Sequence, residues 1–99
     1  MNDLNKKIAL VLEIQELSIR ITNSSDVDVF CSYSGHTNGL SISVMLEGWK
    51  SEDPTTDYSK IIYLDRASVK TLQEIIEYLR IIEKEVNYEI NSIYKPIWF

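Results

Sequence analysis

The sequence predicts an α+β domain. A helix, a three-stranded antiparallel sheet and a second helix follow in chain order, with both helices packed on one face of the sheet. Three observations predict it. Residues 26–49 (DVDVFCSYSGHTNGLSISVMLEGW) alternate with period two on either side of a glycine-flanked turn. A run free of Gly and Pro, residues 3–22, precedes this hairpin. A second run follows it, with apolar residues recurring every three or four positions from Val69 to Val86. With 99 residues there is room for one core, so residues 1–87 are read as a single domain and residues 88–99 as an apolar, aromatic tail.

In the first helix Asp3 is placed to cap the N-terminus, and Asn23-Ser24-Ser25 breaks the run. Leu10, Ile14, Leu17 and Ile21 fall on one face. Ile8, Val11 and Leu12 widen the apolar surface of the first half beyond one stripe. That half is either buried on two sides or meets a partner, and burial on two sides is the expectation.

In the hairpin, Val27, Val29, Cys31 and Tyr33 alternate with Asp28, Phe30, Ser32 and Ser34. Leu40, Ile42, Val44 and Leu46 repeat the pattern against Ser41, Ser43, Met45 and Glu47. The aliphatic face belongs on a core and the serine-rich face toward water. Residues 34–39 (SGHTNG) supply two glycines and an asparagine, which tolerate positive φ in tight connections. A polar loop broken by Pro54 leads to a third strand, Tyr58 to Leu64, apolar on both faces. The connection of about ten residues favours antiparallel pairing. Asp65 or Ser68 caps the second helix, Asp65 being favoured because it directly ends the strand.

The tail concentrates Ile90, Ile93, Tyr94, Ile97, Trp98 and Phe99 at a terminus, where chains are usually polar. It either folds back over the sheet or docks on another subunit, and Ile97, Trp98 and Phe99 are the expected self-association residues of a homodimer.

Fifteen carboxylates against ten Lys and Arg give a net charge of −5, which disfavours direct nucleic-acid binding through the phosphate backbone. A lone cysteine, Cys31, rules out an intramolecular disulfide and fits a reducing compartment. The apolar run after Lys6 and Lys7 stops at Glu13, too soon for a secretory signal, and no stretch approaches the ~20 apolar residues of a membrane span. A cytoplasmic protein without membrane contact is expected.

Chemistry-bearing residues are few. His36 is the only histidine; with a single Cys it is short of a zinc ligand set, and no glycine-rich phosphate loop occurs, so neither metal nor cofactor is expected. Cys31 is in register with Val27 and Val29 and reads as a small buried hydrophobe. His36 and Asn38 read as turn residues bonded to local backbone, or as part of a recognition surface at the tip of a rigid hairpin. Trp49 reads as a lid on the core or as an exposed anchor.

The order Tyr33-Ser34-Gly35-His36-x-Asn38, Leu40-Ser41-Ile42-Ser43-Val44, Gly48-Trp49, Asp57-Tyr58 and Tyr63-Leu64-Asp65 before a helix resembles a group of small phage and prophage proteins of Gram-positive bacteria. The resemblance covers about residues 1–86; the tail is longer and more aromatic than the group's pattern. It implies a phage or mobile-element setting rather than a reaction. By analogy with small acidic phage proteins, it implies inhibition of a host defence system, anti-CRISPR activity included. The expectation is therefore a non-enzymatic inhibitor in the host cytoplasm that binds a host protein, such as a Cas or other defence nuclease, through Tyr33, His36, Asn38 and Trp49. The alternatives are a structural accessory protein dimerising through its tail, and a small hydrolase or nuclease using His36 with Asp57 or Asp65.

Overall fold

The computed structural model describes residues 2–48 and 56–93. The expectations attached to Trp49, Ile97, Trp98 and Phe99 lie outside the described residues. Helix α1 (Asn2–Ser24) leads into strands β1 (Asp28–Ser34), β2 (Gly39–Met45) and β3 (Tyr58–Tyr63), and helix α2 (Val69–Ile93) follows. The sheet is an antiparallel meander in the order β1-β2-β3, with Val29 opposite Val44 and Leu40 opposite Ile62. This is the predicted architecture.

Helix α1 begins at Asn2, so Asp3 lies in its first turn and is not its cap. At the other end three successive polar side chains take up the last-turn carbonyls. Asn23 donates to Ile19 C=O at 2.8 Å, Ser24 to Arg20 C=O at 2.7 Å and Ser25 to Ile21 C=O at 2.7 Å. Ser25 Oγ also accepts from Val27 N–H at 3.1 Å, which turns the chain into β1.

One core joins the layers. Ile14, Leu17 and Ile21 from α1, Leu40, Ile42 and Val44 from β2, and Leu72, Ile75 and Leu79 from α2 are each at most 1% exposed. Leu10 is only partly buried against this cluster. The widened apolar surface of α1 is not enclosed on two sides: Ile8 and Leu12 are exposed, and Leu4 and Ile19 join them on the side away from the core.

One detail of the sheet differs from the periodicity. The alternation fails at the end of β2, where Leu46 is exposed and Met45 is buried. Gly48 N–H closes a tight turn onto Met45 C=O at 3.1 Å, and Leu46 N–H is held by the Asp57 carboxylate at 2.8 Å, so the strand stops before Leu46 can point inward. Gly48 adopts φ +83°, and a Cβ there would stand 2.9 Å from Asp26 C=O. As the alternation expects, the serine-rich outer face also carries Phe30, Ile61 and Tyr63, all exposed.

The cap of α2 is Ser68, not Asp65. Ser68 Oγ accepts the Thr71 N–H at 3.1 Å, while Asp65 sits in the preceding turn with its carboxylate 3.9 Å from Arg66. Strand β3 ends in a tight turn, so the helix can begin only after the chain has climbed onto the inner face.

The helices run in the same direction. The Lys7 ammonium donates to Leu64 C=O at 2.6 Å, fixing the start of α1 beside the end of β3, where α2 also begins. Ion pairs between Glu13 and Arg80 and between Arg20 and Glu83 (2.8 Å) then join them along their length. Arg20 also pairs with Glu16.

Candidate functional site

The hairpin tip is a four-residue turn, 35–38, between β1 and β2. The left-handed conformation is taken by Asn38 (φ 55°) and by neither flanking glycine. Asn38 is also the tie that holds the tip. Its side-chain oxygen accepts from the Tyr33 hydroxyl at 2.7 Å, and its carbonyl accepts from Leu64 N–H at 3.0 Å. The Asn38 side chain thus bonds the Tyr33 side chain and not local backbone, and its carbonyl ties the turn to the residue that follows β3.

Tyr33 continues the inward face of β1 but lies beyond the cover of the helices and is 51% exposed. Tyr63 flanks the tip on the opposite face of the sheet. Its ring lies over Gly39, where a Cβ would stand 3.3 Å from the ring, and the Arg66 guanidinium sits 4.9 Å from its centroid. His36 is exposed in the turn. Tyr33, His36, Asn38, Tyr63 and Arg66 thus form one polar and aromatic end of the molecule.

Tyr63 and Arg66 were not among the expected contact residues. Their position follows from the meander, because the end of β3 must lie beside the start of β2. The sequence signal was the landmark Tyr63-Leu64-Asp65 read together with antiparallel pairing.

Of the two carboxylates considered beside His36, Asp57 is at the far end of the sheet. It is anchored there by its N–H to Val44 C=O at 2.9 Å and its carboxylate to Leu46 N–H. The length of β2 places it about 20 Å from the tip. Asp65 shares the tip end with His36 but faces Arg66. Among the described residues no three His, Cys, Asp or Glu side chains converge.

The Cys31 thiol is partly buried, and burial pushes its pKa up while a hydrogen bond with Ser18 offsets part of the rise. The protonated form is a poor nucleophile. Tyr58 and Tyr78 stack at 4.1 Å between β3 and α2, and burial raises both phenols. The grooves between α1 and α2 are lined by Glu13, Glu16, Arg20 and Arg80, charges already committed to one another. No helix of the described residues is long and apolar enough to cross a membrane.

Compared with protein-family models, curated proteins and solved structures, the chain matches none.

Proposed function

We propose that this chain is a non-enzymatic binding protein of a phage or mobile element, acting in the host cytoplasm. It inhibits a host protein by occupying one of its surfaces, with a CRISPR–Cas or other defence nuclease as the target class. The observation that carries this reading is the build of the tip. Tyr33 is half exposed, yet its hydroxyl is pinned to Asn38, so it enters an interface with little side-chain freedom left to lose. Tyrosine and arginine are also the residue types that most often dominate binding energy. The same end offers His36 as a directional hydrogen-bonding group, and Trp49 remains a proposed contact outside the described residues.

The test is capture of host proteins by the tagged full-length chain, followed by affinity measurement on the protein recovered. One stoichiometric partner is expected, with Tyr33→Ala weakening it by about tenfold or more and His36→Ala by less. Circular dichroism identical to the parent would show that both variants fold. A host lysate that yields no stoichiometric partner would defeat the reading. A hydrolytic activity lost by orders of magnitude in His36→Ala would replace it with the enzyme alternative.

A further inference from the structure

The two edges of the sheet are finished differently. In an antiparallel ladder, the N–H and C=O of alternate residues point together toward the neighbouring strand or away from it. On β1 the Thr22 hydroxyl accepts Val29 N–H at 3.0 Å and donates to Val29 C=O at 3.4 Å, and α1 lies against that strand. That edge is closed by a helix. On β3 the bond from Leu64 N–H to Asn38 C=O, with Ile62 opposite Leu40, assigns the even-numbered residues to the β2 ladder. Ser59, Ile61 and Tyr63 therefore point outward.

The Tyr63 carbonyl is already taken, accepting from Arg66 N–H at 2.9 Å and Ala67 N–H at 2.8 Å. Among the described residues nothing bonds the outward N–H and C=O of Ser59 and Ile61, and α2 makes no close backbone approach to this strand. Beside these groups the Ile61 side chain is 64% exposed on the outer face. On the inner face Lys60 is exposed, with no carboxylate of the described residues paired to it.

We propose that the β3 edge takes up an extended segment of a partner protein as a fourth strand. That segment carries a carboxylate opposite Lys60 and apolar side chains beside Ile61. The inference rests on the binding-protein reading and names the kind of segment bound. Open backbone groups at strand spacing select another backbone, and the flanking side chains select its sequence. A second copy of the chain fits poorly. The antiparallel register that uses all the open groups of Ser59 and Ile61 sets Lys60 against Lys60, and like charges directly opposite are destabilising. The register centred on Ile61 asks for the Tyr63 carbonyl, which the following turn already occupies.

The probe is an end-capped pentapeptide, Thr-Val-Glu-Val-Thr, titrated into the isotope-labelled full-length chain beside its Thr-Val-Lys-Val-Thr counterpart. The amide signals of Ser59 and Ile61 are expected to shift and to exchange more slowly with solvent. The Glu peptide should bind about threefold tighter than the Lys peptide, and Lys60→Glu should invert that preference. Ile61→Pro removes an outward N–H that the β2 ladder does not use, and should abolish the effect in a folded chain. Should that variant unfold, the Lys60→Glu inversion still decides. No shift at millimolar peptide, shifts elsewhere only, or equal affinity for the two peptides overturns the proposal. A host partner weakened by Tyr33→Ala but not by Ile61→Pro or Lys60→Glu also overturns it, and leaves the binding-protein reading standing. Peptide addition at β3 with no host partner does the reverse.

Discussion

Cys31 alternates with Val27 and Val29, and from that pattern its role as a small apolar filler was legible. Its partial exposure was not, because the groove between α1 and β1 depends on where Ser18 and Thr22 place the helix. Burial raises the folded thiol's pKa above its unfolded value. Its contribution to stability is therefore fully present below the unfolded-chain pKa of 9.0 and lost as pH rises through the higher folded value. Iodoacetamide should alkylate Cys31 more slowly in the native chain than in urea at pH near 8, and equal rates would contradict the assignment. At the tip, the composition of residues 34–39 announced a tight connection, yet positive φ fell to Asn38. At Gly39 an added Cβ would crowd Thr37 Oγ1 at 3.0 Å and the Tyr63 ring of the neighbouring strand at 3.3 Å. The second of these is a tertiary contact, invisible to a local reading.

The elements themselves were legible because each keeps a single period over its length. What was lost lies at their ends, where local bonds compete. Asp65 directly follows β3 and is a good capping type, but the turn that Arg66 and Ala67 N–H make on Tyr63 C=O delays the helix, and Ser68 caps it. Ser68→Ala should therefore cost about 1 kcal/mol in urea unfolding, whereas Asp65→Ala should change stability by less than about 0.5 kcal/mol. A larger loss from Asp65 would restore it as the cap. Helix α1 shows the other limit of pattern reading. Its apolar surface was visible, but period alone does not say whether Leu4, Ile8 and Leu12 are covered, and the chain leaves them exposed.

Across the whole molecule, one cluster draws on both helices and all three strands, so unfolding should be a single transition. Leu79, fully buried, tests this: Leu79→Ala should lower stability by about 2–5 kcal/mol while keeping one transition by fluorescence and circular dichroism. Transitions that separate would mean that helix and sheet hold independently. The α+β order and the choice of one covered face were readable from alternation and periodicity. The difference between the sheet's two edges was not, since it depends on a single hydroxyl of α1 reaching across to β1. The co-directional helices have a consequence of their own. Their peptide dipoles add instead of cancelling, leaving about half a positive charge at the start of each, both at the end where the hairpin turns. An acidic chain thereby acquires an electrical axis. In the field of a cationic partner such a molecule is rotated before it touches, and added salt, by shortening the reach of that field, should slow the encounter.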